Sequence, residues 1–330
     1  MKPSQARIAI EHLIDLRRPV FLWGPPGIGK SDIVAQIAKD RGIELVDKRL
    51  SQSDPTELKG IPWPDQKKGI MKFFQDEELP TSGEGILFLD ELNNAPAAVQ
   101  APAYQLILNR RLGSYVLPDG WAIVAAGNRR QDRSIVHAMP AALANRFVHI
   151  DMEPDLDDFL TWAANHGGIS AETCGYLRWR PSNLAVNELP ADVRAFPSPR
   201  TWAFADKIMS SKRLDEAIKA DLIAGTVGQG CAVEYIGFMR EAKNLPPVDA
   251  ILLAPDKVPV PTEPATLYAT VARLDHATTV GNIEVLMKYA ARMPKEREVM
   301  YMQSVCRRVN DLMETKVVTD YILANKSLLS

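Results

Sequence analysis

The chain has 330 residues, 46% hydrophobic and 24% charged, with a formal net charge of −2. This composition supports one large or two medium globular domains, and it provides no overall positive field of the kind that draws a protein to nucleic acid or an anionic membrane. Cys174, Cys231 and Cys306 are odd in number and far apart, which argues against a disulfide framework or a zinc site and fits a cytoplasmic protein.

The N-terminal stretch breaks its apolar residues with charges, so it does not read as a secretory signal. Apolar runs stop well short of the roughly 20 residues that span a bilayer, and no membrane association is expected. Ile10, Leu13 and Ile14 have helical spacing, and Val20-Phe21-Leu22-Trp23 reads as a buried strand that stops at a Gly-Pro-rich turn. Ile33, Val34, Ile37 and Ala38 form one face of a following helix, and Leu45-Val46 begins another strand. Ile86 to Leu89 is a second buried strand, ending at two acids. Val99, Ala103, Leu106 and Ile107 have helical spacing around Pro102, a site for a kink or a late start. Trp121 to Ala126 is a third apolar strand. Strands alternating with helices imply an α/β fold with a central parallel sheet flanked by helices. Helical spacing dominates from about residue 151, as in Leu156, Phe159, Leu160 and Ala163, and a proline-rich stretch over 246–264 reads as a loop or linker. The expected organisation is an α/β nucleotide-binding core over 1–150, an α-helical lid over 151–245, and a proline-rich loop with C-terminal helices over 246–330.

Gly24-Pro25-Pro26-Gly27-Ile28-Gly29-Lys30-Ser31 fits the pattern G-x-x-x-x-G-K-[ST], between a strand and a helix. Glycines let the backbone curl so that its N–H groups face a phosphate, and the helix N-terminus adds partial positive charge. Lys30 would pair with the β- and γ-phosphates of ATP, and the Ser31 hydroxyl would ligate Mg²⁺. The acids after the second strand, Asp90 and Glu91, emerge at a strand's carboxyl end, where open α/β sheets bind ligands. Asp90 would help hold the metal and its water shell, and Glu91 would act as general base on the attacking water. An isolated strand ending in an acid reads as a solvated turn; its place about 60 residues beyond a phosphate loop gives it the catalytic reading.

With these two elements placed, the chain resembles the MoxR-type AAA+ ATPases, in the group that includes magnesium chelatase motor subunits. The supporting strings are GPPGIGKS, ILFLDELNNAP, LNRRLGSYVLPDGWAIVAAGNR, ALANRF and FPSPRTW, and the resemblance covers roughly residues 5–210. The proline spacing over 245–268 is similar to a subfamily often paired with von Willebrand factor A-type proteins. The resemblance implies a helical lid after the AAA+ core, a hexameric homo-oligomeric ring, and roles for three more residues. Asn128 would be sensor one, bonding the γ-phosphate or the attacking water; read alone, an Asn after Gly127 is a turn residue. Arg146 would be an arginine finger reaching the ATP of the neighbouring subunit, with a surface ion pair as its other reading and Arg129, Arg130 and Arg133 as rivals. Arg200 would be sensor two, projecting from the lid, or else an ordinary helix-start arginine.

Weaker features complete the reading. Trp63, Phe73 and Phe74 lie in the segment 60–74, where the resembling group carries an insert; such aromatics are more often core than pore-lining. The segment 111–117 resembles a hairpin before sensor one. The histidines show no ligand pairing. The expected function is a Mg-ATP-hydrolysing ring motor or chaperone that remodels or matures a protein partner. The alternatives are a nucleic-acid-associated ATPase, against which the charge of −2 speaks, and an ATP-gated assembly scaffold.

Overall fold

Proline's fixed φ suits a first helical turn, and helix α1 runs Pro3–Asp15 with Ala6 and Ile10 buried. The computed structural model describes residues 1–129, 139–186 and 194–325, and the chain divides into two compact units, Met1–Pro154 and Asp155–Ser330. In the first unit, strand β1 (Val20–Trp23) leads through the glycine-rich loop into α2 (Lys30–Arg41), which ends at Gly42 with φ 65°. Then come β2 (Glu44–Arg49), α3 (Pro55–Lys59) behind an Asp54 capping box, and the antiparallel pair β3 (Ile61–Asp65) and β4 (Ile70–Phe74). The remainder is β5 (Glu84–Asp90), α4 (Ala97–Asn109), the short pair β6 (Arg111–Leu112) and β7 (Tyr115–Val116), β8 (Gly120–Gly127), α5 (Ala141–Ala144) and β9 (Val148–Asp151). Helix α4 continues through Pro102 without a break in its span.

Five of these strands form one parallel sheet in the order β2-β5-β8-β1-β9. Alternate residues along a strand face opposite sides, and both sides are covered. Phe21, Leu87, Leu89, Ile123 and Ala125 pack with Val99, Ala103 and Leu106 of α4. Val20, Leu22, Ile86, Phe88, Val124 and Ala126 pack with α1 and α2. That double burial is why these strands read as unbroken apolar runs rather than as alternating ones. The sheet therefore brings the carboxyl ends of β1, β5 and β8 to one edge, with Trp23 opposite Gly127 and Leu89 opposite Ala125.

The β3–β4 hairpin departs from the core expectation for its aromatics. Trp63 and Phe74 are 60% and 61% exposed, their ring centroids 6.3 Å apart, and Ile61, Ile70 and Met71 are also more than half exposed. Phe73 is half-buried, with the Lys59 ammonium 5.7 Å from its ring centroid. A two-stranded ribbon paired only with itself has no second layer to cover either face.

The second unit is helical: α6 (Leu156–Trp162), continued by a π-helical turn over Ala163–Gly167, then α7 (Ala171–Trp179), α8 (Pro199–Ser210), α9 (Glu216–Val227) and α10 (Gln229–Lys243). It continues with α11 (Val248–Leu253), α12 (Pro264–Ala277), α13 (Ile283–Ala290), α14 (Lys295–Arg308) and α15 (Lys316–Ala324). One core gathers Tyr176, Trp202 and Tyr235, with ring centroids 5.2 to 5.3 Å apart. A second gathers Leu274, Leu286, Tyr289 and Tyr301. The stretch expected as a proline-rich loop contains α11. Pro247 precedes its first residue, where a missing N–H costs nothing, and no proline falls within Val248–Leu253. Among the described residues, no helix is long and apolar enough to cross a membrane.

Candidate active site

The loop after β1 takes its shape from two residues in the left-handed region, Gly27 at φ 78° and Gly29 at φ 98°. Side chains there are strained, whereas glycine is not. Gly29 caps α2 without a side-chain bond, which leaves the first-turn N–H groups open to an anion. Gly24 is fixed differently: a Cβ on it would meet the Met152 carbonyl oxygen at 3.0 Å.

Lys30 is buried, and its Nζ donates to the carbonyls of Gly24 at 2.6 Å and Pro25 at 3.2 Å and to Asn128 Oδ1 at 3.2 Å. The ammonium would gain by exchanging these carbonyl oxygens for phosphate oxygens, because a full negative charge attracts it more strongly than a carbonyl dipole does. Ser31 Oγ donates to Asp90 Oδ2 at 3.2 Å, and the Glu91 N–H donates to Asp90 Oδ1 at 2.9 Å. A hydroxyl and a carboxylate side by side are the hard oxygen donors that suit Mg²⁺. Asp47 on β2 adds to the local negative charge: burial first, then the Asp90 carboxylate, raises its carboxyl above the ordinary value. A bound cation would relieve that repulsion, so these residues fit the metal.

Glu91 sits at φ 56°, an unusual conformation for a residue with a side chain. Its Oε2 accepts from the Ser51 hydroxyl. Ser51 reaches it because β2 pairs with β5 up to Arg49 opposite Asp90, and the Leu50 N–H then donates to the Asp90 carbonyl at 3.0 Å. Asn128 follows β8, and its carbonyl accepts from Asn93 Nδ2 at 2.8 Å. Asn93 lies flat against β8, since a Cβ on Gly127 would fall 2.1 Å from Asn93 Oδ1. Lys30 with Asn128, and Ser31 with Asp90 and Glu91, thus form two hydrogen-bonded groups at the carboxyl edge of the sheet, adjacent through the Lys30–Ser31 peptide. Asn93 joins the first group and Ser51 the second, and both went unread in the sequence.

Arg146 shares none of these bonds. It is exposed on the turn between α5 and β9, its N–H donating to the Leu143 carbonyl at 2.9 Å. That turn is tied to the strand before the phosphate loop: Trp23 Nε1 donates to His149 Nδ1 at 2.9 Å. With Nδ1 accepting, His149 Nε2 carries the proton and donates to the Ala144 carbonyl at 2.9 Å. Of the rival arginines, Arg129 is half-buried, and Arg130 and Arg133 lie outside the described residues. Arg200 belongs to the second unit. It is exposed at the second position of α8, behind a capping box of Ser198 and Thr201.

Residues 19–147 match the family model of the AAA domain, dynein-related subfamily. Midasin of Giardia intestinalis is 31% identical over 150 residues, which are 43% of this chain and 3% of midasin. The ATPase family gene 2 protein homolog B of Mus musculus is 38% identical over 77 residues, 23% of this chain and 10% of that protein. The chain therefore spans a small part of the length of these curated relatives. Among solved structures, the Thermotoga maritima RuvB Holliday junction branch migration motor is similar at 15% identity and a TM-score of 0.42, over 71% of this chain and 67% of that one. A putative ATPase from Cytophaga hutchinsonii is similar at 14% identity and a TM-score of 0.38, over 99% and 89% of the two chains.

Proposed function

We propose, from the premise that residues 19–147 form an AAA-type P-loop domain, that this chain hydrolyses Mg-ATP as a subunit of a ring motor acting on a protein partner. The observation that carries the reading is the pair of contacts in which Lys30 meets Asn128 and Ser31 meets Asp90, at the carboxyl ends of β1, β5 and β8. In this reading, Lys30 exchanges the Gly24 and Pro25 carbonyls for β- and γ-phosphate oxygens, while the loop N–H groups from Gly27 to Ser31 cradle the phosphates. Ser31 and Asp90 hold Mg²⁺, which supplies charge neutralisation on the phosphates when bound. Glu91 leaves Ser51 and takes the proton of the attacking water, and Asn128 orients that water against the γ-phosphate. Arg146 of one subunit serves the site of its neighbour, where a permanently charged planar group stabilises charge as it develops. Arg200 serves the nucleotide of its own subunit from the helical second unit, acting as a lid. The finer assignments are a MoxR-type subfamily, a hexameric ring and a von Willebrand factor A-type partner, which rest on the sequence resemblance, and a cytoplasmic location, which rests on the cysteine usage. An exposed apolar hairpin, β3–β4, supports a protein rather than a nucleic-acid partner.

The test is phosphate release per subunit with Mg-ATP over a wide range of protein concentration. A specific rate that climbs steeply with concentration is expected, because a site completed by Arg146 exists only between subunits. A rate per subunit that stays flat down to monomer concentrations would refute the shared site. Bound ATP with no phosphate released at any concentration would point instead to an ATP-gated scaffold.

A further inference from the structure

We propose that His149 is a positioning residue for Arg146, a role that rests on the shared site proposed above and makes one chain's imidazole set the rate at its neighbour's nucleotide. Arg146 stands in the turn 144–147 between α5 and β9, and its exposed side chain takes its direction from that backbone. The Arg146 N–H donates to the Leu143 carbonyl at 2.9 Å, and the Phe147 N–H donates to the Ala144 carbonyl at 3.2 Å. Beneath the turn, the buried Phe147 ring meets the Phe21 ring edge-on, with centroids 5.3 Å apart. His149 adds a further tie, reaching back from β9 so that its Nε2 donates to the same Ala144 carbonyl at 2.9 Å.

The other ring nitrogen fixes where that donor stands. Nδ1 accepts from Trp23 Nε1 at 2.9 Å, and the two rings stack with centroids 6.0 Å apart. Trp23 is held in turn: it ends β1, its carbonyl accepts from the Met152 N–H at 2.8 Å, and the next residue, Gly24, opens the phosphate loop. An indole N–H only donates and a carbonyl only accepts, so a side chain bridging them must accept at one end and donate at the other. A neutral imidazole does both at once; a phenyl ring in the same stack does neither. Hydrogen bonds this exposed compete with water and add little to stability. What they add is position: His149 ties the turn that carries Arg146 to the strand end from which the phosphate loop springs. A catalytic group displaced by about 1 Å loses about a hundredfold in rate. Because Arg146 acts on the neighbour's ATP in this reading, loss of His149 should impair the neighbouring site and leave its own chain's site intact.

Subunit mixing with the full chain tests this. His149→Phe keeps the ring stack and removes both bonds; it should bind ATP normally, assemble, and turn over about tenfold to a hundredfold more slowly. Mixed in equal amounts with Glu91→Gln, whose His149 and Arg146 are intact, it should regain about a quarter of the parent activity. Mixed with Arg146→Ala, it should give no more than the two chains give apart, because neither supplies a positioned arginine. Recovery with Arg146→Ala and none with Glu91→Gln would place His149 in its own subunit's site and overturn the proposal, as would parent-like turnover by His149→Phe. The pair Glu91→Gln and Arg146→Ala is the control. If that pair recovers while His149→Phe regains nothing with Glu91→Gln, only the role of His149 falls; if the control itself fails with exchange verified, the shared site falls and the role of His149 with it. Trp23→Phe, which removes the donor to Nδ1 and leaves the imidazole, should pair in the same pattern and carries the test should His149→Phe fail to assemble.

Discussion

At the scale of single residues, the proposed mechanism separates binding from chemistry. Lys30 holds a charge on the loop's own carbonyls. Lys30→Ala removes the cation that meets the phosphates, and ATP affinity should fall by about tenfold to a hundredfold, read by equilibrium titration. Glu91→Gln keeps the shape and loses the base. That variant should bind ATP normally and turn over about a hundredfold or more slowly in single-turnover assays, and normal turnover would remove Glu91 from the mechanism. Ser51 acts on the same carboxylate. Its hydroxyl occupies a lone pair that the attacking water needs, so Ser51→Ala should raise kcat severalfold with KM unchanged. A fall in kcat would instead make the hydroxyl a support for the productive position. Lys30, Asp90 and Glu91 were legible in the sequence because each lies in a short segment that encodes strand, turn and charge together. Ser51 and Asn93 were not, since their partners stand 40 and 35 residues away and meet them only through strand pairing. Neither serine nor asparagine in a loop carries a signal of its own.

At the scale of elements, what positions the cluster is the closeness with which strand ends pack. Gly127 ends β8 against Asn93 and Phe21, where a Cβ would lie 2.1 Å from Asn93 Oδ1 and 2.8 Å from Phe21 Cζ. Gly127→Ala should destabilise the first unit by about 1–3 kcal/mol in denaturant unfolding and displace Asn128 enough to lower kcat. The edge strand β2 is latched from outside. Lys48, buried, binds Asp76 at 2.8 Å and also binds Glu78. Burial raises the Asp76 carboxyl, but the Lys48 ammonium and the Glu78 N–H outweigh it and hold it below its ordinary value of 3.8. A carboxyl depressed by folding stabilises fully above its unfolded value, and that contribution is lost as pH falls through the folded one. Lys48→Met should therefore cost about 2 kcal/mol at pH 7, a figure reduced for the exposure of Glu78. It should also show a smaller loss of stability than the parent chain between pH 5 and about pH 3. Equal acid sensitivity in both would mean that the latch contributes nothing. The parallel sheet was readable from its unbroken apolar runs, because burial on both faces removes alternation. The exposure of Trp63 and Phe74 was not, since a short apolar stretch says nothing of whether another layer covers it. Helix α11 was hidden behind prolines that in fact flank it.

At the scale of the assembled molecule, the exposed position of Arg146 gives the ring reading its sharpest consequence. In the proposed mechanism Ser31 and Asp90 hold the metal, Glu91 is the base and Asn128 orients the water, and among the described residues no arginine shares the hydrogen bonds of these side chains. If the missing cation comes from a neighbour, Glu91 and Arg146 act in the same site from different chains. Glu91→Gln alone and Arg146→Ala alone should then each be inactive and still bind ATP. Mixed in equal amounts under conditions that let subunits exchange, an interface is competent only when an Arg146→Ala chain supplies Glu91 and a Glu91→Gln chain supplies Arg146. Random assembly places that ordered pair at about a quarter of the interfaces of a closed ring, so about a quarter of the parent activity should return on mixing. A two-fold dimer would return the same quarter, since half of the random dimers are mixed and one of the two sites in each is competent, so recovery reports a shared site and the subunit count must be read separately. Absence of any recovery, with exchange verified by fluorescence transfer between labelled chains, would place Arg146 in its own subunit's chemistry or outside the chemistry altogether. Recovery with no need for subunit contact would contradict the shared site outright.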